Sequence, residues 1–215
     1  MKTKTNKPAP PVSWNFAKDP CPVIATFANR MYYSGDDAFR RIVLSHTSEV
    51  TDTKSTKDVE AKRAWLAIDW IVREHATAWL DIAGMRKEAA SLRALPELCC
   101  DAVDAAVLTR LYQVEDGAIG ESWDEVTSTP DFIETDTSWC AVLDAARDAA
   151  RVAPTSIQMS EAVASGRRIA KGAARIVATR AAPNMFELTK AMLQRSAVEL
   201  LDRMIALTDV EGEAP

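Results

Sequence analysis

Residues able to do acid–base or metal chemistry are few in this chain and widely spaced. The nitrogen and sulfur ligands are two histidines, His46 and His75, and four cysteines, Cys21, Cys99, Cys100 and Cys140. Neither histidine lies in an HExxH, an Hx3–5H or a Cys/His ligand spacing, so the sequence carries no zinc signature. Adjacent Cys99 and Cys100 would project about 100° apart on a helix, which suits them poorly to one shared metal ion. A GxSxG nucleophile elbow is missing. The lone GxxG, at Gly117 and Gly120, is flanked by Asp116 and Glu121, the wrong sign for a phosphate cradle. Asp69 is set in an apolar stripe between Trp65 and Trp70, one turn before Arg73. Burial raises the pKa of such a carboxyl and makes it a candidate acid. With no second acid beside it, an ion pair with Arg73 is the preferred reading, and an enzyme site near Asp69 and His75 is the last of three functional readings. No catalytic residue, metal ligand or cofactor is assigned.

The unusual feature is the distribution of charge. Between Leu111 and Ala146 there is no Lys or Arg, against nine acids: Glu115, Asp116, Glu121, Asp124, Glu125, Asp131, Glu134, Asp136 and Asp144. Trp123, Phe132, Ile133 and Trp139 lie in the same stretch. Aromatic anchors ringed by charge are what protein interfaces use, the anchor giving affinity and the field giving association rate. The expected protein-binding residues are therefore Trp123, Asp124, Glu125, Asp131, Phe132, Glu134 and Asp136, facing a partner with a basic surface. The opposite feature follows in sequence, since Arg147 to Arg203 holds ten bases against five acids. Arg167, Arg168, Lys171 and Arg175 would line one side of a helix and could contact nucleic-acid phosphates. Such a stripe is otherwise a solvated face, or it neutralises the acidic stretch within the same molecule.

The elements that position these groups read as helices. Seven glycines are few for 215 residues, and alanine recurs in runs such as AVLDAARDAARVA, a composition that favours helix. Residues 1–19, with Pro8, Pro10 and Pro11 among lysines, predict a mobile basic arm. Helices are expected from about Pro20 to Tyr33, over Asp36–His46, and from Ser55 to Gly84, the last being central and apolar almost all round between Ala64 and Val72. Others are expected over 85–95, 96–114, 137–153, 155–181 and 183–209, with Gly166 and Gly172 as soft spots in the penultimate one, a loop over 47–57, and one short helix with an exposed loop over 121–138. In the last helix, Phe186, Leu193, Ala197, Leu200, Leu201 and Met204 mark the apolar face, with Glu199 and Arg203 as an i,i+4 pair on another. No alternating strand pattern appears. The expectation is all-α: a single orthogonal or bundle-like domain of about eight or nine helices over 20–215. No apolar run nears the roughly 20 residues that cross a bilayer, and the basic N-terminus lacks an apolar signal core. A cytoplasmic protein with four reduced thiols is expected.

Two stretches, KRAWLAIDWIVREHATAWLDIAGMRKEAASLRALPEL at 62–98 and LQRSAVELLDRMI at 193–205, resemble a group of alanine-rich helical proteins of bacteria and their phages. The alanine-rich middle is loosely similar to immunity proteins of bacterial toxin systems, although here the acidic stretch interrupts it. The resemblance implies a small intracellular binding protein and transfers no site residues. The functional expectation is a non-enzymatic helical protein, of immunity or phage anti-defence type, that neutralises another macromolecule through the acidic, aromatic surface. The alternative is a structural or nucleic-acid-associated protein of a phage or bacterium that uses the basic helix.

Overall fold

A computed structural model describes residues 20–34, 37–50, 53–99, 102–123, 141–152, 156–180 and 183–208. The helices are α1 (Pro22–Ser34), α2 (Asp37–Ser45), α3 (Thr47–Val50), α4 (Lys57–Asp69), α5 (Thr77–Ile82), α6 (Arg86–Arg93), α7 (Ala105–Trp123), α8 (Ala141–Ala150), α9 (Ile157–Arg180) and α10 (Pro183–Ala206). A π-helical segment, Trp70–Ala76, joins α4 to α5 without interruption, so residues 57–82 form one rod. With the rod counted once, the described residues make nine helices and no strand, which is the all-α fold expected from composition and periodicity.

The ends of the rod show why it stops where it does. Thr56 caps its start by accepting the Val59 N–H, and Asp58 and Glu60 place negative charge in the first turn, where the helix dipole favours it. At the other end Gly84 adopts φ of 83°. Its N–H donates to the Asp81 carbonyl, and the Met85 N–H donates to that of Leu80. This double closure needs a left-handed residue, which glycine supplies without steric cost.

The rod is the axis of the packing. Its N-terminal half, α4, lies against α8, with α1 beyond it, while the π segment and α5 lie against α9, with α7 beyond that. α6 folds back beside α5 and reaches α7, and α10 crosses α1, α4 and α5. One continuous core results, running from Cys21 to Met204. Trp70, Ile71, Val72, Ala76, Trp79 and Leu80 are fully enclosed in it, as an apolar-all-round helix requires. The predicted face of α10 is buried at every named position, Phe186 to Met204. Among the described residues, no helix is long and apolar enough to cross a membrane.

A buried arginine ties the segment before α4 to the end of α10. Arg63, 1% exposed, donates Nε–H to the Met204 carbonyl at 2.9 Å, an Nη1 proton to the Thr53 carbonyl at 2.7 Å, and an Nη2 proton to the Leu207 carbonyl. Met204 and Leu207 lie at the C-terminal end of α10, where unpaired carbonyls and the helix dipole favour a cation.

Several expectations change. Residues 47–50 form a short helix inside the expected loop. The fifth helix begins at Ala105, not near Pro96, because Asp104 Oδ1 accepts the N–H groups of Ala106 and Val107, both at 2.9 Å. It runs through Gly117 and Gly120 instead of stopping before them. Arg203 pairs with Glu74 at 3.6 Å on the rod, not with Glu199. The glycines of α9 are contact points and not soft spots. A methyl group on Gly166 would lie 2.9 Å from Ile71 Cγ2 and 3.0 Å from Val72 Cγ2, and one on Gly172 would lie 3.0 Å from the Ala118 carbonyl oxygen.

These distances separate the helical glycines by sign. Gly166→Ala gains about 1 kcal/mol of helix propensity but overpacks a buried crossing, which costs roughly 1–3 kcal/mol. A net loss of stability is expected. Gly120→Ala, with nothing within 4 Å, should gain about 0.5 kcal/mol. Urea midpoints of the two variants should move in opposite directions, and a gain at Gly166 would contradict the crossing.

Candidate functional site

Of the acidic, aromatic surface, Asp124, Glu125, Asp131, Phe132, Glu134 and Asp136 lie outside the described residues, and Trp123 is described only as the last residue of α7. Two of the nine acids are described with partners, and both are compensated. Glu115, 8% exposed, accepts from the Ser165 hydroxyl and from the Arg168 guanidinium, whose Nη2 is 3.0 Å from Oε2. Asp144 pairs with Arg147 at 2.8 Å and Arg167 at 3.5 Å. The stretch is therefore less one-sided than its composition suggests, because at these points it neutralises the basic helix.

That helix, α9, carries Arg167, Arg168, Lys171 and Arg175 as expected. The first two edge a surface feature that helical spacing alone does not reveal. Between α8 and α9 lies a hollow of roughly 470 Å³, rimmed by Arg147, Arg151, Arg167 and Arg168 and floored by Ala150, Met159, Val163 and Ala164. A second hollow, of roughly 440 Å³, lies between α9 and Tyr112 of α7. The two share Ser160, Ala164 and Arg168, so they form one groove astride the first half of α9.

Its edge combines charge with exposed apolar groups. Ile157 is 76% exposed at the start of α9, with Tyr112 also exposed. Ser156 caps α9 by accepting the Met159 N–H at 3.2 Å, so the positive end of the helix dipole borders the groove. The guanidiniums are held by neighbours. Arg147 grips Asp148 through Nε at 3.0 Å and Nη2 at 2.8 Å, and Arg30 of α1 reaches the same carboxylate at 2.7 Å. The hydrogen bond to Glu115 holds Arg168 further above its already high pKa, against partial desolvation. Desolvation pushes the Tyr112 phenol up as well, followed by a hydrogen bond with Glu161 and the charges of Glu161 and Glu115. Both side chains therefore stay protonated donors at neutral pH.

Asp69 and His75 are buried without sharing a hollow. Asp69, 4% exposed, accepts the Leu98 N–H at 3.0 Å and pairs with Arg73 at 3.3 Å, the pairing expected from their spacing. The carboxylate thereby pins the chain after Pro96 to the rod. It edges a polar hollow of roughly 270 Å³ with Arg73, Glu74, Arg93, Glu97 and Arg203, away from His75. His75 is fully enclosed between Trp70 and Trp79, with ring centroids at 5.3 and 6.4 Å, and neither ring nitrogen has a hydrogen-bond partner. Of the thiols, Cys21 is buried in the core and Cys99 is exposed, both free, while Cys100 and Cys140 lie outside the described residues.

Arg147, Arg151, Tyr112 and Ile157 are groove residues that the sequence reading did not single out. Their partners across the groove lie on other helices, so no local spacing signals them. No family model, no curated protein and no solved structure matches this chain.

Two expectations follow. Removing the Glu115 carboxylate strands the Ser165 hydroxyl, which is fully buried, whereas removing Arg168, with half its side chain in solvent, leaves the carboxylate its serine. Glu115→Ala should therefore cost about 2 kcal/mol and Arg168→Ala about 1 kcal/mol or less. Urea denaturation gives the order, and a costlier Arg168→Ala would contradict it.

The second concerns His75, which burial lowers from the ordinary 6.5 to about 3. The unfolded chain takes up this proton near pH 6.5 and the folded chain only near pH 3, so the stability that neutral His75 contributes is complete above pH 6.5. It is lost as pH falls, at up to about 1.4 kcal/mol per pH unit. His75→Leu should flatten the dependence of the urea midpoint on pH between 6.5 and 4. An unchanged slope would contradict the assignment.

Proposed function

We propose that this chain is a helical binding protein that engages another macromolecule through the groove astride α9. The observation that carries the reading is the joining of two hollows at Ser160, Ala164 and Arg168 beneath a four-arginine rim. Arginine and tyrosine dominate binding hot spots because each offers a broad, stiff contact face and directed donors. An apolar floor of alanine, valine and methionine beside them suits a segment that carries both carboxylates and apolar side chains. The partner favoured is a protein with an acidic, partly apolar segment. Nucleic acid is favoured less, because the chain has net charge −5 and the floor of the groove offers apolar side chains, Ala150, Met159 and Val163, in place of further cations. Neutralising a toxin or a defence component, as the resemblance to immunity proteins implies, is one use of such a surface.

A converse reading rests on a separate observation, the nine acids and aromatics between Leu111 and Ala146 without a Lys or Arg. It takes a basic partner on the segment holding Asp124, Glu125 and Glu134.

Selection of random displayed peptides on the full chain distinguishes these. Enrichment of acidic, aliphatic or aromatic peptides is expected, lost on Arg151→Glu with Arg167→Glu. Enrichment of basic peptides, abolished by reversing Asp124, Glu125 and Glu134, would move the site to the acidic segment. Salt-dependent binding of a fluorescent single-stranded oligonucleotide, lost in the arginine variant, would replace the protein partner with nucleic acid.

A further inference from the structure

The bend between α2 and α3 brings His46 against the last turns of α10, more than 150 residues away in sequence. Its ring is held in one orientation: Nδ1 is 2.8 Å from the Ile42 carbonyl oxygen. The neighbouring Ser45 hydroxyl donates to that same carbonyl at 2.6 Å, so it is not the donor to the ring. A carbonyl only accepts, which places the ring hydrogen on Nδ1 and leaves Nε2 of the neutral ring as a bare acceptor. Yet Nε2 faces Asp202 Oδ1 at 3.0 Å. Two acceptors at that distance repel unless a cation lies between them, and the cation is either a proton or a metal ion.

The surroundings suit a metal ion. Glu49 lies one turn after His46, its N–H bonded to the His46 carbonyl at 3.0 Å. The imidazole nitrogen and one oxygen from each of Glu49 and Asp202 all fall within 4.8 Å of one another. A separation of 3.0 Å between two ligand atoms lies at the short end of the roughly 3.0–3.4 Å that bonds of about 2.1 Å span between right-angled and tetrahedral coordination. A ligand imidazole whose other nitrogen donates to a backbone carbonyl is also the usual arrangement of metal-bound histidine. We propose that His46, Glu49 and Asp202 bind a first-row divalent metal ion such as Zn²⁺, the ion class that takes one imidazole with two carboxylates. The bound ion ties the α2–α3 bend to α10 and is independent of the groove.

Titration of chelator-treated full chain with Co²⁺ tests this. One equivalent should bind with d–d absorption but no thiolate charge-transfer band, raise the melting temperature, and be displaced by Zn²⁺. His46→Ala, and separately Asp202→Asn, should each weaken binding at least tenfold. Asp202 and Glu49 are exposed, so Asp202→Asn and a third variant, Glu49→Gln, retain the fold, and the melting temperature without metal checks the fold of His46→Ala, whose side chain is 17% exposed. Absence of Co²⁺ uptake, a thiolate band, or affinity unchanged in His46→Ala and Asp202→Asn would overturn the proposal and leave a protonated His46–Asp202 ion pair.

Discussion

The closeness of α9 to the rod is the constraint on which the rest of this structure depends. At Gly166 the separation leaves no room for a methyl group beside Ile71 and Val72, and at Gly172 none beside the Ala118 backbone. Three elements, the π segment, α9 and α7, are thereby stacked through glycine and alanine, with Ala162, Ala170, Ala173 and Ala174 fully or almost fully buried along α9. Small side chains carry little transfer free energy each. What they supply is proximity, which leaves large groups elsewhere, Trp70, Trp79 and Phe186, to fill the remaining core.

Burying one face of α9 so completely determines what its other face can do. Of the rim arginines, Arg167 and Arg168 belong to its first half, while Arg147 and Arg151 come from α8 and the turn after it. The positions of Arg147, Arg167 and Arg168 are then narrowed by carboxylates from two helices: Glu115 of α7, and Asp144 and Asp148 of α8. Such pairs add little stability where solvent reaches them. Their effect is to fix guanidinium orientation ahead of any encounter, which lowers the ordering cost of binding. Arg63 works differently, since it lies in the core and satisfies backbone carbonyls before α4 and at the end of α10 without a carboxylate.

What was legible in the sequence is what periodicity and local chemistry encode. The apolar face of α10, the buried stretch of the rod, the Gly84 stop and the Asp69–Arg73 pair all depend on residues within one or two turns of each other. The features that were not legible depend on partners far away in the chain. Gly166 resembles a weak point until Ile71 is placed against it, and Glu115 resembles free negative charge until Arg168 arrives from 53 residues on. The late start of α7 was partly readable, because Asp104 is an ordinary capping residue, but Pro96 is an equally ordinary helix start. The π segment has no sequence signature of its own; its residues are those of a buried α-helix.

If close packing of α9 on the rod is what holds the groove in shape, the backbone beneath the groove must be among the last parts of the molecule to open. Native-state hydrogen exchange with urea measures this residue by residue. Amides of Ala162–Ala174 and of Ile68–Leu80 should exchange only by global unfolding, with the free energy and urea dependence of the whole domain. Exchange of these amides through a smaller opening, well below the global free energy, would contradict the account.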